Sequence, residues 1–126
     1  MKNIQLIDTN IILRFFLKDN LELWEKATQV ISAEEILILD SVMAEVIYVL
    51  QKLYNIPREK ISSLLLSLCN LKHVSTENGI VTMYAIEQYG ILNLDFVDLL
   101  LYSHKVKQGI NVQTLDKKLG KLINQY

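Results

Sequence analysis

Four carboxylates of this chain are spaced so that they could act together in catalysis: Asp8, Glu45, Asp98 and Asp116. The first, second and fourth come just after predicted strands, in a loop or in the opening turns of a helix. Because the carboxyl ends of parallel strands share one edge of a sheet, we expect these side chains to converge there. Asp98 joins them if its helix packs beside the first strand.

A cluster of this kind requires counter-charge. Two like charges about 4 Å apart repel each other by roughly 4 kcal/mol at an effective dielectric constant near 20, so the cluster needs bound cations or raised pKa values. Ligation by oxygen alone favours hard divalent ions such as Mg²⁺. One or two such ions can orient a water molecule, lower its pKa and stabilise the leaving oxygen at a phosphodiester. The predicted chemistry is therefore phosphodiester hydrolysis.

Helix capping is the simpler interpretation of the same acids. Asp8 and Asp116 each stand between a predicted strand and a helix, where an N-cap is expected. Asp95 and Asp98 stand three residues apart at a helix start, an acidic variant of the capping box that also suits the helix dipole. We interpret Asp95 as a cap alone. Glu45 is not explained in this way, because it lies at the border of an apolar stripe.

Apolar periodicity supplies the elements that must position these acids. Short apolar runs predict buried strands at Ile4 to Ile7, Ile36 to Leu39, Leu71 to Val74 and Ile110 to Val112. Helical patterns are predicted at 10–17, 21–35, 42–54, from Pro57 to about 68, 76–89, 95–108 and 117–124. Strands that alternate with helices predict an α/β fold of three layers, α/β/α, with a parallel sheet covered by helices on both faces.

Composition limits the remaining possibilities. The 126 residues include one proline and four glycines and offer no linker, so we expect a single domain spanning 1–126. No uncharged run approaches the roughly 18 residues that span a membrane, and no signal peptide is evident. We expect a cytoplasmic protein without a membrane partner.

The charge of the chain decides how it can bind nucleic acid. A formal net charge of −1 excludes attraction through the field of the whole molecule, so binding must use a local patch. The candidates for contacts with RNA phosphates are Arg14, Lys105, Lys117 and Lys118. A solvated charged face explains the same residues equally well.

Four ordered motifs resemble those of PIN-domain ribonucleases. They are Asp8-Thr9-Asn10, the stretch VMAEVIYVL at 42–50, Asp95-Phe96-Val97-Asp98, and the stretch TLDKK at 114–118. The resemblance spans essentially the whole chain. At this length the chain is most similar to the VapC-type toxins of toxin–antitoxin pairs.

The resemblance implies a sheet of four or five parallel strands and an endoribonuclease that depends on Mg²⁺, with Mn²⁺ as a substitute. It also implies an RNA substrate, a homodimer and a cognate antitoxin protein. The family's acidic positions fall on Asp8, Glu45, Asp98 and Asp116. Supporting polar positions fall on Thr9, Asn10 and Thr114. The sequence departs from the family pattern at Leu115, where Phe is usual, and at Leu99, where a small residue is common.

Other functions are compatible with parts of this pattern. A housekeeping RNA-processing nuclease would use the same acids, whereas a catalytically inactive PIN-like binding module would use them only as caps. A phosphotransfer domain is disfavoured, since no lone phosphoacceptor aspartate follows the middle strand. A set of apolar side chains suits a dimer or an antitoxin helix: Ile11, Ile12, Phe15, Phe16, Leu21 and Trp24.

Overall fold

The computed structural model describes residues 3–125, which contain three strands and seven helices. The strands are β1 (Ile4–Leu6), β2 (Glu35–Ile38) and β3 (Val74–Thr76). The helices are α1 (Thr9–Leu17), α2 (Leu21–Ala33), α3 (Asp40–Lys52), α4 (Arg58–Cys69), α5 (Ile80–Tyr89), α6 (Phe96–Gln108) and α7 (Lys117–Ile123). All seven predicted helices are confirmed. The largest shift is at α5, which begins after Gly79 because Thr76 belongs to β3 and Gly79 adopts a positive φ of 54°.

The three strands form one parallel sheet in the order β1-β2-β3. Ile4 pairs with Glu35 across the first ladder, and Ile36 pairs with Val74 across the second. The predicted α/β class is confirmed, with three strands in the described residues rather than the four or five expected. Within the described chain β1 pairs on one side only, and the side chains of Ile4 and Leu6 are 67% and 59% exposed.

Two of the strand predictions need correction. Leu71 to His73 form a turn, in which the Leu71 N–H donates to the Leu68 carbonyl, and the strand starts only at Val74. Residues 110–112 form no strand. Gly109 ends α6 in the left-handed conformation, and Asn111 accepts a hydrogen bond from Lys105. These contacts hold the segment against the end of α6, so it forms no ladder with the sheet.

The core forms where the sheet meets the helices. Ile36 and Ile38 of β2 are buried together with Met43 and Leu50 of α3 and Leu99 of α6. Each fully buried side chain of this size contributes about 1.5–3 kcal/mol relative to an exposed one. This burial sets the positions of α3 and α6. No helix among residues 3–125 has the length and apolar character needed to cross a membrane.

Asp40 ties the carboxyl end of β2 to the carboxyl end of β3. Its backbone N–H donates to Glu77 Oε1 at 2.8 Å. Its carboxylate accepts from Asn78 Nδ2 at 2.6 Å and from Thr82 Oγ1 at 2.7 Å. Because Asp40 is the first residue of α3, this network fixes where α3 starts and so where its later side chains lie.

Candidate functional site

Three aspartates line one recess where the loop before α6 meets the ends of α3 and α7. The recess has a volume of about 280 Å³. Its lining residues are Gln51, Lys52, Arg58, Asn93, Leu94, Asp95, Asp98, Asp116 and Lys118, and we call it the acidic recess. It combines three carboxylates with three basic side chains, Lys52, Arg58 and Lys118, which is a charge arrangement suited to hold both a cation and a phosphate.

Asp98 carries the clearest electrostatic signature of the acidic recess. Burial raises the pKa of its carboxyl above the ordinary value, and the nearby charges of Asp116 and Asp95 raise it further. Within residues 3–125 no Lys or Arg forms an ion pair with any of these three carboxylates. The three carboxylates therefore share the recess with basic side chains but form no direct ion pair with them.

Asp116 is held in place from both sides. It is the N-cap of α7, and its Oδ1 accepts a hydrogen bond from the Leu119 backbone N–H at 2.8 Å. Its own backbone N–H donates to Thr114 Oγ1 at 3.0 Å. Capping uses one carboxylate oxygen, so the capping interpretation and a role in ligand binding are compatible. Thr114 acts here by fixing the backbone of Asp116.

Asp95 is a site residue that the sequence interpretation assigned to capping alone. It occupies the N-cap position of α6, but its side chain makes no capping hydrogen bond. It lines the acidic recess instead and contributes to the raised pKa of Asp98. The signal was present in the sequence, because residues three apart in the first turn of a helix lie on the same side.

The structure does not place Asp8 or Glu45 in the lining of the acidic recess. Asp8 caps α1, with its Oδ1 accepting from the Ile11 N–H at 3.1 Å. Glu45 is exposed on α3, although its neighbour Ala44 lines a second recess together with Asp98. In the described part of the chain, no three or more His, Cys, Asp or Glu side chains gather closely enough to hold a metal ion. Of the four predicted acids, the structure brings together Asp98 and Asp116.

The supporting residues on α1 lie apart from the acidic recess. Thr9 is buried at the start of α1, and Asn10 beside it is exposed. Neither side chain lines the recess.

The predicted phosphate contacts divide in the same way. Arg14 forms an ion pair with Asp19 at 3.1 Å, Lys105 donates to Asn111, and Lys117 is exposed outside the recess lining. Lys118 lines the recess and donates to the Asn93 carbonyl at 2.6 Å. Lys52 and Arg58 also line it, and no local sequence pattern marked them.

Arg58 shapes the loop that leads into α6. Its Nε donates to the Tyr89 carbonyl at 3.0 Å, and one terminal nitrogen donates to the Leu92 carbonyl at 2.8 Å and to the Leu94 carbonyl. The guanidinium carbon also lies 3.7 Å from the centroid of the Tyr89 ring. Charge-assisted hydrogen bonds of this kind are stronger than neutral ones. Arg58 therefore sets the path of residues 89–95 and, through them, the positions of Asp95 and Asp98.

The donor set of the acidic recess suits a divalent cation. Mg²⁺ typically binds one or two carboxylates and keeps several waters, so Asp98 and Asp116 are sufficient protein ligands. A bound cation would also offset the repulsion that raises the pKa of Asp98.

Comparison with known proteins identifies the family. Residues 6–123 match the model of the PIN domain, which covers nearly the entire chain, and the chain therefore belongs to the PIN domain family. PIN domains are in general nucleases that use divalent metal ions. No curated protein and no solved structure matches the chain significantly.

Replacing Asp98 with Asn should stabilise the metal-free protein at neutral pH. Because the pKa of Asp98 is raised in the folded chain, the folded state binds this proton more tightly than the unfolded state does. Its contribution to stability therefore falls as pH rises from the ordinary aspartate pKa of about 3.9 through the raised value. In EDTA the variant should show a higher melting temperature near pH 7 and no difference near pH 3. A lower melting temperature at pH 7 would contradict the raised pKa of Asp98.

Replacing Arg58 with Met should destabilise the fold by about 2–4 kcal/mol, since three loop carbonyls lose a charged donor. Urea denaturation followed by circular dichroism measures this loss. Arg14→Met is the matched control, because it removes only an exposed ion pair and should cost under about 1 kcal/mol. Equal losses in the two variants would show that Arg58 does not organise the loop.

Proposed function

We propose that this protein is an endoribonuclease that depends on a divalent metal ion and hydrolyses RNA phosphodiester bonds in the cytoplasm. The observation that carries the proposal is the acidic recess, where Asp95, Asp98 and Asp116 lie together with Lys52 and Lys118; the raised pKa of Asp98 agrees with it. Membership of the PIN domain family supports the same chemistry. Mg²⁺ is the proposed cofactor, with Mn²⁺ as a substitute.

The residues of the acidic recess have different proposed roles. Asp98 and Asp116 would hold the ion, and Asp116 is already fixed for this by its cap and by Thr114. When bound, the ion supplies a water of lowered pKa and stabilises the leaving oxygen. Lys118 and Lys52 would hold the phosphates of the strand. Asp8 and Glu45 are proposed as further acids, because α1 packs against α3 and α3 packs against α6.

We further propose that the protein is the toxin of a toxin–antitoxin pair and that it forms a homodimer. An apolar groove of about 430 Å³ supports an antitoxin helix as partner. The groove is lined by Phe15, Phe16, Lys18, Trp24, Leu64, Ser67, Leu68 and Leu71. The exposed side chains of Ile4 and Leu6 on β1 support a contact between two copies of the chain.

Two alternatives make different predictions. A housekeeping RNA-processing nuclease would cleave RNA but would have no short reading frame beside its gene. An inactive binding module would neither cleave RNA nor bind Mn²⁺ at millimolar concentration.

Replacing Asp98 or Asp116 with Asn should reduce RNA cleavage in Mg²⁺ by at least about a hundredfold, since each change removes a proposed metal ligand. Cleavage is measured on labelled single-stranded RNA. Glu25→Gln, an exposed acid on α2, is the matched control and should cleave at the parental rate. Parental rates in both Asp variants would overturn the assignment of the site.

The same assay distinguishes the contributions of Asp8 and Glu45. Asp8→Asn and Glu45→Gln should each reduce cleavage by about tenfold or more if these acids complete the site. Unchanged cleavage in these two variants would restrict the site to the acidic recess.

Leu71→Glu should prevent association with the product of a short reading frame adjacent to the gene, because it places a charge in the apolar groove. Leu71 is 40% exposed, so the fold should tolerate the change. Co-expression and size-exclusion chromatography measure the complex. Ile91→Glu, at a 74% exposed position outside the groove, is the control and should still bind. A complex that survives Leu71→Glu would move the antitoxin to another surface.

A further inference from the structure

A second recess adjoins the acidic recess. Its volume is about 450 Å³, and we call it the side recess. Asp95, Asp98, Gln51 and Lys52 line both recesses. A ligand in the side recess would therefore lie directly beside the proposed cleavage site.

The side recess is lined by an exposed aromatic ring and by apolar side chains. Tyr48 lines it and is 61% exposed, so its ring is available to a ligand. Val97, which is 57% exposed, also lines the recess, and the buried side chains of Ile47 and Phe96 add apolar surface. Exposed aromatic rings in a groove bind single-stranded nucleic acids by stacking on the bases, which all have a π face.

Gln51 supplies hydrogen-bond donors to the side recess. The Tyr89 hydroxyl donates to Gln51 Oε1 at 2.5 Å, which leaves the Nε2 hydrogens of the amide to donate to a ligand. Burial raises the pKa of Tyr89, so its hydroxyl stays protonated and keeps the amide in this orientation. The Arg58 guanidinium packs on the Tyr89 ring and fixes it in turn. Gln51 therefore presents hydrogen-bond donors to the side recess, while the carboxylates of Asp95 and Asp98 present acceptors where it adjoins the acidic recess.

We propose that the side recess binds the base of one unpaired RNA nucleotide next to the bond that is cleaved. The base stacks on Tyr48, and its carbonyl edge accepts hydrogen bonds from Gln51 Nε2. Lys52 lies on the border of both recesses and holds the phosphate that connects this nucleotide to the cleavage site. This inference rests on the proposed nuclease function and adds a contact to one base, made by Tyr48 and Gln51 beside the cleavage site.

The Gln51 donors predict which bases are preferred at that contact. Uracil presents carbonyl oxygens and guanine presents O6 and N7, whereas adenine presents N7 beside an amino donor at its N6. A base edge that faces Gln51 Nε2 should therefore bind more tightly in uridine or guanosine than in adenosine, whose N6 amino group would face another donor. A base inside a duplex cannot enter the side recess, so paired strands should bind less tightly.

Binding of labelled oligouridylate tests the stacking contact. It is measured by fluorescence anisotropy with Ca²⁺ as the divalent ion, and a gel shows that the strand stays intact. Tyr48→Ala should weaken binding by about tenfold or more, and Tyr48→Phe should keep the affinity within about twofold. Tyr54→Ala is the matched control, because Tyr54 is also exposed on the surface but lies outside the recess, and it should bind as the parent does. Equal affinity of Tyr48→Ala and Tyr54→Ala, or no binding by the parent, would overturn the proposal.

Gln51→Glu tests the hydrogen-bond donors of Gln51 separately. It keeps an acceptor for the Tyr89 hydroxyl but removes the donor, so the ratio of oligouridylate to oligoadenylate affinity should fall. Comparing a ratio within one variant cancels the added negative charge. An unchanged ratio would overturn the role of Gln51. Tighter binding of oligodeoxyuridylate than of oligouridylate would overturn RNA as the occupant.

The cleavage assay in Mg²⁺ separates this inference from the proposed function. If binding depends on Tyr48 but the parent does not cleave RNA, the side recess is supported and the nuclease is refuted. If the parent cleaves RNA but binding is independent of Tyr48, the nuclease is supported and the side recess is refuted.

Discussion

The repulsion among Asp95, Asp98 and Asp116 is the constraint on which the proposed chemistry depends. Burial raises the pKa of Asp98, and the charges of Asp116 and Asp95 raise it further, because each disfavours the ionised carboxylate. In its described part the chain forms no ion pair with these acids. Free energy stored in this way becomes available to a bound cation, because binding relieves the repulsion. Stability is given up at the place where a ligand is needed, which is a common cost of function.

The surrounding contacts keep the repelling acids from moving apart. Arg58 binds three carbonyls of the loop before α6, and Thr114 with the α7 cap fixes Asp116. Asp40 fixes the start of α3 by joining the ends of β2 and β3. The acids themselves use few of these hydrogen bonds. Most of the positioning is done by Arg58, Thr114 and Asp40 rather than by the acids themselves.

Apolar periodicity predicted the helices well because each has a clear buried face, as in α3, where Met43, Val46 and Leu50 are buried on one side. It predicted the strands less well. Ile110 to Val112 is as apolar as a true strand, but the left-handed Gly109 and the Lys105–Asn111 hydrogen bond hold it elsewhere. A short apolar run contains no information on whether a partner strand is in reach.

The candidate site was predictable only in part. Asp98 and Asp116 stand out because each follows a helix or strand boundary, and Asp95 was missed because its position also suits a cap. Arg58 gave no signal, since its partners lie 31 to 36 residues away and the contact exists only in the folded chain. Asp8 and Glu45 were carried over from a family resemblance, and their part in the site stays a prediction.

Anomalous diffraction from crystals grown with Mn²⁺ tests the central claim most directly, because it locates the ion without assuming any activity. We predict an anomalous peak in the acidic recess, in contact with carboxylate oxygens of Asp98 and Asp116. A fully occupied peak bound by other residues, or no peak at millimolar Mn²⁺, would contradict the account.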